Sequence, residues 1–160
     1  MLSIEYVLGL VDGEGSFNVR LNKSHRRRAK VELKFSLKLR YQDKAILDEL
    51  QRFFGCGKVY IQRDARKNHS LCYRFEVQNK KDIKEKIVPF FEKNSSKIPS
   101  RKRDFELFRE IVRSLEREPH DLEKISSLKK QMHWGLAAYR KTVRAVGTRV
   151  TLHEDMRKSE

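Results

Sequence analysis

The stretch Tyr6–Phe17, YVLGLVDGEGSF, begins with the pattern of a helix and ends in a break. Apolar residues recur there at intervals of three and four, which predicts one apolar stripe formed by Ile4, Val7, Leu8 and Val11. Gly9 and Gly13 are four residues apart and therefore lie on one face of the helix. Each glycine costs a helix roughly 1 kcal/mol relative to alanine. Two glycines on one face therefore predict the close approach of a second backbone, as small residues allow between membrane helices.

Two carboxylates, Asp12 and Glu14, lie in the last turn of the predicted helix, where the helix dipole is negative. Acids in that position are unfavourable unless a cation compensates them. They are either exposed acids beside a turn, the commoner case for an arbitrary helix, or ligands of a metal ion at a close contact between helices. The coincidence with the glycine pair favours the metal site. Gly15 is predicted to end the helix as a left-handed cap.

The run GLVDGEG, residues 9–15, resembles the second half of the motif of the LAGLIDADG homing endonucleases. Leu8 replaces the small residue that usually precedes the first glycine, and Glu14 is a common variant of the final acid. In that family the motif helix packs against the same helix of a second motif. The resemblance therefore implies a dimer interface formed by Val7, Leu8, Gly9, Val11, Asp12 and Gly13.

The resemblance also implies a metal site above the scissile phosphates of DNA, with Glu14 as the ligand and the Gly13 carbonyl beside it. Asp12 has a secondary role, at the interface or in the outer shell of the metal. The expected ion is Mg²⁺, with Mn²⁺ as an alternative and Ca²⁺ as a non-catalytic substitute, because carboxylate and phosphate oxygens suit hard cations. Such an ion polarises the phosphate, helps water to attack and stabilises the leaving oxygen.

The composition predicts a folded protein with a polyanionic partner. The 160 residues carry a formal net charge of +15, while 38% of them are hydrophobic, which is enough for a core. A strongly basic chain attracts nucleic acid and gains from counterion release. An anionic membrane surface is the rival partner, but no apolar run approaches the ~18 residues of a spanning helix. We therefore expect no membrane partner.

Residues 1–147 are expected to form one domain and residues 148–160 a polar tail. The first residues lack the basic and cleavage features of a signal peptide, so an intracellular protein is expected. The resemblance points to a mitochondrion, a chloroplast, or the archaeal or bacterial cytoplasm. Neither the two cysteines nor the five histidines have the spacing of a zinc site, and the histidines are interpreted as surface or satisfied core residues: His25, His69, His120, His133 and His153.

After Gly15 the hydrophobic period changes to two, which predicts strands on both sides of a basic loop at Ser24–Ala29. A helix capped by Asp43 and ending at Gly55, two further strands, and a helix capped by Asn79 and bent near Pro89 complete the order. The resemblance implies that these elements form an α+β fold, an αββαββα core with an antiparallel DNA-binding sheet. Apolar stripes beyond residue 104 predict additional C-terminal helices, the last of them at Trp134–Val146.

The strands present polar, largely basic side chains on one face. A two-stranded ribbon of this kind fits the major groove, where arginine or lysine can address guanine and asparagine can address adenine. The alternative is a solvated outer face of an antiparallel sheet. The charge and the arginine-rich loop favour DNA binding by Asn18, Arg20, Asn22, Arg26, Arg27, Arg28, Lys30, Glu32, Lys34, Ser36, Lys38, Arg40, Lys58, Tyr60, Gln62, Arg63 and Arg74.

Two further positions are candidates for supporting catalysis. The family often places a glutamine or a basic residue at the end of the second strand to orient water, and here Arg40 or Gln42 could serve. A supporting base of the family falls just before an Asp-Phe pair, which corresponds to Asp104 and Phe105. That base is Arg101 or Lys102, with Arg101 preferred on spacing.

The chain carries one motif and therefore one catalytic acid, whereas cutting both strands of a duplex needs two. The resemblance therefore implies a homodimer and a nearly palindromic double-stranded DNA target, cut by phosphodiester hydrolysis during intron homing. Two alternatives stay open. One is a maturase that binds intron RNA on the same scaffold, and the other is a basic nucleic-acid-binding protein without catalysis, against which the motif acids argue.

Overall fold

The computed structural model of the protein describes residues 1–22, 30–62 and 71–133. The predictions for Arg26, Arg27, Arg28 and Arg63, for the connecting turns, and for the helix and tail beyond residue 133 lie outside the described residues. The principal elements are α1 (Ile4–Glu14), β1 (Gly15–Leu21), β2 (Val31–Arg40), α2 (Lys44–Phe54), β3 (Lys58–Gln62), β4 (Cys72–Val77), α3 (Lys80–Asp82), α4 (Val88–Asn94), α5 (Lys102–Ser114) and α6 (Leu122–Gln131).

Within the described residues, the strands form one four-stranded antiparallel sheet in the order β1-β2-β4-β3. Phe17 of β1 lies opposite Phe35 of β2, which in turn lies opposite Val77 of β4. These apolar residues are buried, while most of their polar neighbours along the strands are half-buried or exposed, and Ser36 and Glu76 are the buried exceptions. The period of two therefore predicted the faces of β1 and β2 correctly, and the predicted α+β order with additional C-terminal helices is confirmed.

Phenylalanines form the centre of the core between the sheet and the helices. The Phe17 ring lies 5.1 Å from Phe35, 5.2 Å from Phe91 and 5.4 Å from both Phe105 and Phe108, measured between ring centroids. All five side chains are fully buried. Each contributes about 1.5–3 kcal/mol by its removal from water. Helices α4 and α5 are thus fixed on the apolar face of the sheet, and the polar face is left uncovered by them.

The ends of the helices follow the sequence in most places. Gly55 ends α2 in the left-handed conformation with φ 58°, and Asn79 caps α3 by accepting from the backbone N–H of Lys81 and Asp82. Asp43 does not cap α2 with its side chain, because the segment Tyr41–Asp43 is a 3-10 turn that continues into the helix. The helical run continues through Pro89, and the segment Ile83–Ile87 just before it is a π helix. This local change of hydrogen bonding accommodates a proline, which has no N–H to donate, and the predicted bend near Pro89 stays a prediction.

Gly15 corrects one prediction about α1. Its backbone is extended, with φ −71° and ψ 151°, so it is not a left-handed cap. A Cβ built on Gly15 would lie 2.5 Å from the Val11 carbonyl oxygen. The glycine is therefore required by the sharp passage from α1 into β1, where there is no room for a side chain. Among the described residues, no helix has both the length and the apolar character needed to cross a membrane.

Candidate nucleic-acid interface and acidic centre

Helix α1 has a buried face and an open face. Val7, Leu8 and Val11 are at most 2% exposed and belong to the core of this chain. The prediction that these three side chains form a dimer interface is therefore wrong, because the sheet and helices of the same chain already cover them. Gly9 and Gly13 lie on the other face, and a Cβ on either would meet nothing within 4 Å. The open face of α1 thus offers bare backbone to a neighbour.

The two acids at the end of α1 have different surroundings. Asp12 accepts hydrogen bonds from the backbone N–H and the hydroxyl of Ser100, at 2.8 and 3.1 Å. These donors compensate a carboxylate at the negative end of a helix without any cation. Glu14 is exposed, and no hydrogen bond or ion pair joins it to any described residue. Of the two acids, Glu14 is thus the one that is free to bind a ligand.

Arg101 is the basic residue that the structure brings to the end of α1. Its guanidinium donates to the Gly13 carbonyl oxygen at 2.7 Å, where the helix dipole favours a cation. Lys102, the alternative candidate, instead lies 4.0 Å from Glu106 on its own helix. The Gly13 carbonyl was predicted to bind metal. In this arrangement it accepts a hydrogen bond from a guanidinium with one of its two lone pairs, and its role as a metal ligand stays a prediction.

His133 and Asp104 form an ion pair near Arg101. The backbone N–H and the ring Nδ1 of His133 are each 2.8 Å from a different carboxylate oxygen of Asp104. The hydrogen bond that the His133 ring donates to Asp104 raises the pKa of His133, although burial opposes it. Burial would raise the pKa of Asp104, but the hydrogen bonds from His133 outweigh it and lower that pKa. No local pattern predicts this pair, because 29 residues separate its members.

An open groove of about 550 Å³ runs along the polar face of the sheet. Glu14 lines this groove together with residues of β1, β2 and β4. Seven of the residues predicted to bind DNA are among them: Asn18, Arg20, Glu32, Lys34, Ser36, Lys38 and Arg74. The structure therefore brings the predicted acid and much of the predicted reading face into a single cavity, which cations dominate.

The candidates at the end of β2 lie elsewhere. Arg40 and Gln42 line a separate surface cavity of about 350 Å³ with Tyr41 and Leu71. Lys38 is the residue near the end of β2 that shares the groove with Glu14. The structure thus does not bring Arg40 or Gln42 into the cavity that Glu14 lines. The strand alternation alone could not separate Lys38 from Arg40, because both lie on the polar face.

The far strands extend the polar face. In register, Lys58 lies opposite Glu76, Tyr60 opposite Arg74, and Gln62 opposite Cys72. The Arg74 Nε donates to the Gln62 amide oxygen at 2.9 Å. At the other edge of the sheet, the Asn22 amide donates to Glu32 at 2.7 Å, and the Asn22 backbone N–H donates to the Lys30 carbonyl. The predicted DNA-binding residues within the described ranges thus belong to a single sheet surface.

Glu76 was not among the predicted site residues, and it is the centre of a hydrogen-bond network on this surface. Its Oε2 accepts from the Tyr60 hydroxyl at 2.9 Å and lies 3.1 Å from the Lys34 ammonium. Its Oε1 accepts from the Gln78 amide. Burial would raise the pKa of Glu76, but these hydrogen bonds, first that of Tyr60, outweigh it and lower the pKa. Alternation placed Glu76 on the polar face, but it did not show that the partners of Glu76 come from β2, from β3 and from Gln78 just after β4.

Comparison with known proteins gives a consistent set of relatives. A family model described as LAGLIDADG endonuclease matches residues 7–112. The chain is 38% identical over 103 residues to a Mycosarcoma maydis protein named probable intron-encoded DNA endonuclease 1, covering 64% of this chain and 34% of that protein. It is 26% identical over 112 residues to the homing endonuclease I-ApeII of Aeropyrum pernix, covering 70% of this chain and 64% of that protein. The chain therefore spans about a third of the length of the fungal relative.

Solved structures share the fold. The homing endonuclease I-TnaI superimposes with a TM-score of 0.67 at 32% identity, covering 91% of this chain and 98% of that chain. I-SmaMI bound to uncleaved DNA in the presence of calcium ions gives 0.70 at 26% identity, covering 92% of this chain and 50% of that one. I-SmaMI bound to cleaved DNA gives 0.69 at 27% identity, with 83% and 44% covered. The present chain thus corresponds to nearly all of I-TnaI and to about half of I-SmaMI.

Proposed function

Because the chain belongs to the LAGLIDADG endonuclease family, we propose that it is a site-specific endonuclease that cuts double-stranded DNA. The observation that carries this proposal is the groove, in which Glu14 lines the same cavity as Lys34, Lys38 and Arg74. A carboxylate that can bind a hard cation thus lies among ammonium and guanidinium groups that can hold phosphates. A protein that only coats nucleic acid would gain nothing from an acid in this place.

The sheet is proposed to read the duplex through its polar face. Side chains on β1 and β2, such as Asn18, Arg20 and Lys38, line the groove and can reach base edges or phosphates. The formal net charge of +15 favours the encounter with DNA. The I-SmaMI structures, in which a protein of this fold is bound to DNA, support this assignment.

The active enzyme is proposed to be a homodimer formed through the open face of α1. Two cuts need two copies of Glu14, and one chain supplies one. Gly9 and Gly13 leave room on α1 for a second backbone. The match to nearly all of I-TnaI but to half of I-SmaMI supports a unit that is used twice in a complete enzyme. A two-fold symmetric dimer would prefer a nearly palindromic target.

The donor set at the end of α1 fits a divalent metal such as Mg²⁺. Glu14 offers an exposed carboxylate that no described residue engages, and such oxygens are what hard cations prefer. When bound, the metal would polarise the scissile phosphate and activate water. Within the described residues, no cluster of three or more candidate ligands occurs. The second copy of Glu14, phosphate oxygens and water are therefore expected to complete the site.

The remaining residues of the centre are assigned roles that follow from their contacts. Arg101 and Ser100 fix the end of α1 through Gly13 and Asp12, and so hold Glu14 in place. Lys38 shares the groove with Glu14, and we assign to it, rather than to Arg40 or Gln42, the contact with the phosphate that is attacked. A cation there would stabilise the charge that develops on the phosphate oxygens.

Relatives that are named intron-encoded support a role in intron homing inside the cell, in an organelle or a prokaryotic cytoplasm. The decisive experiment is to incubate the protein with Mg²⁺ and a library of randomised duplex DNA and to sequence the cut ends. We expect one long, nearly palindromic site. Glu14→Gln should lower the cutting rate at least about a hundredfold, whereas Glu85→Gln, which changes an exposed carboxylate on the helical side, should leave the rate unchanged. Binding of intron RNA without any cut ends would instead identify a maturase.

A further inference from the structure

Glu76 is a carboxylate on the polar face of the sheet, the surface that is proposed to face DNA. It lies on β4, one of the two central strands of the described sheet, and is only 8% exposed. In register it lies between Ser36 of β2 and Lys58 of β3. A negative charge close to DNA phosphates is unfavourable by itself. Its presence in the middle of the reading face therefore calls for a specific task.

Direct readout of a base does not account for Glu76. A free carboxylate can accept from the amino group of cytosine. Here, however, Oε2 already interacts with the Tyr60 hydroxyl and the Lys34 ammonium, and Oε1 with the Gln78 amide. Arg74 Nη1 lies 3.8 Å from the same carboxylate. With both oxygens engaged and so little exposed surface, Glu76 cannot turn to a base without releasing its partners.

What the carboxylate does is to join side chains from both neighbouring strands. Lys34 comes from β2 and Tyr60 from β3, on either side of β4. The Lys34 side chain lines the groove and is still 35% exposed, and Tyr60 is 41% exposed on the same polar face, so both remain accessible to DNA. A lysine on its own is a flexible point charge, and ordering it on binding costs free energy. Once anchored, its remaining donors have a fixed direction.

We propose that Glu76 is a positioning residue for sequence recognition, which orients Lys34 and Tyr60 so that they discriminate between base pairs. Arg74 is anchored from its other side by Gln62 and completes the ordered row. The proposal rests on the proposed DNA-binding function. It makes specificity, rather than affinity, the property that Glu76 controls, because its negative charge opposes non-specific binding while its hydrogen bonds favour the cognate arrangement.

The test compares Glu76→Gln with wild type on the DNA site selected by wild type and on all its single-base-pair variants. The amide keeps the size but cannot accept from all three partners. We expect discrimination at the base pairs beneath Lys34 and Tyr60 to fall about tenfold, within the range for one good base contact. Binding to random duplex DNA should be unchanged or tighter. The cutting rate at saturating cognate DNA should stay within about twofold.

Two further variants separate recognition from structure. Glu85→Gln changes the net charge by the same amount on an exposed helical position, and it should leave discrimination unchanged. Tyr60→Phe removes one hydrogen bond to Glu76 without a charge change. Its readout is the base pairs beneath Lys34, a side chain that this substitution leaves intact, and discrimination there should relax less strongly than in Glu76→Gln. If Glu76→Gln does not fold, Tyr60→Phe carries the test.

Discrimination equal to wild type in folded Glu76→Gln, or in Tyr60→Phe where that variant carries the test, would overturn the proposal. A loss of selectivity spread evenly over the whole target would also overturn it, since that result indicates a general loss of sheet structure. Wild type that binds DNA without any sequence preference would refute the proposed function itself, and this is recognised before any variant is made.

Discussion

Glu14 and Glu76 are the same kind of side chain on the same side of the molecule, yet their surroundings are opposite. Glu14 is exposed at the end of α1 and bonded to no described residue. Glu76 is 8% exposed and bonded through both oxygens. A carboxylate left free in a basic groove is available to a metal ion, whereas a saturated one can only order its partners. The number of bonds already made thus separates a chemical role from a structural one.

The largest effect is expected from removing the free carboxylate. Glu14→Gln should lower the Mg²⁺-dependent cutting rate at least about a hundredfold, as the loss of a group that stabilises developing charge does. DNA affinity measured without metal should change less than threefold, and the free energy of unfolding by less than about 0.5 kcal/mol, because the side chain is exposed. A cutting rate close to that of wild type would show that Glu14 is not the catalytic metal ligand, and the distinction drawn here between Glu14 and Glu76 would then be wrong.

The saturated carboxylate should behave in the opposite way. Glu76→Ala leaves the Lys34 ammonium and the Tyr60 hydroxyl without their acceptor, and should lower the free energy of unfolding by about 2–3 kcal/mol. Urea denaturation measures this value, with Glu14→Ala as the control at less than about 0.5 kcal/mol. Equal stabilities of the two variants would show that the network around Glu76 has no structural value.

The sequence could predict properties that are local to one helix or strand, but not the contacts that each element makes with the rest of the fold. Periodicity predicted the burial of Val7, Leu8 and Val11 correctly, whereas Ile4 of the same stripe is 45% exposed. Periodicity did not show what buries these three residues, and the resemblance wrongly implied that they lie at a dimer interface. A stripe of this kind looks the same whether its partner is the chain itself or a second copy. The faces of β1 and β2 were predictable because alternation is a local property of the strand.

Contacts over long sequence separations were out of reach. Ser100 binds Asp12 and Arg101 binds Gly13 across 88 residues, and no pattern within either segment encodes these pairs. The resemblance to a family placed a base near residue 101, and spacing preferred Arg101 over Lys102. Only the folded chain shows which carbonyl the guanidinium reaches. Likewise, alternation put Glu76 on the polar face without showing that its oxygens are fully engaged.

A smaller effect, and one that depends on pH, is expected at the pair Asp104–His133. The pKa of His133 is raised above 6.5, so its contribution to stability is complete below pH 6.5 and is lost as the pH rises through the folded value. The pKa of Asp104 is lowered below 3.8, so its contribution is present above pH 3.8 and is lost as the pH falls through the folded value. The pair therefore stabilises the fold most between these two limits.

Asp104→Asn should accordingly lower the free energy of unfolding by about 1–2 kcal/mol at pH 5.5 and by less at pH 9. Thermal unfolding at the two pH values measures the difference, and Glu106→Gln, an exposed carboxylate on the same helix, should show little dependence on pH. The pair lies near Arg101, which binds the end of α1 through the Gly13 carbonyl. The loss of stability in Asp104→Asn therefore probes the structure around the end of α1 without changing Glu14. A penalty that grows towards pH 9 would contradict the assignment.

The smallest change in stability is expected on the open face of α1, where a substitution should stabilise the monomer rather than destabilise it. Gly9→Ala meets no atom within 4 Å and should raise the free energy of unfolding of the monomer by about 1 kcal/mol, since alanine favours a helix. The added methyl groups should nevertheless keep two α1 helices apart, so sedimentation should show weaker dimers and DNA cutting should fall.

Gly15→Ala is the contrasting control, because its Cβ would lie 2.5 Å from the Val11 carbonyl and should destabilise the monomer. If Gly9→Ala stabilises the monomer and leaves dimerisation intact, the open face of α1 is not where two copies meet, and the second carboxylate must reach the DNA by another arrangement.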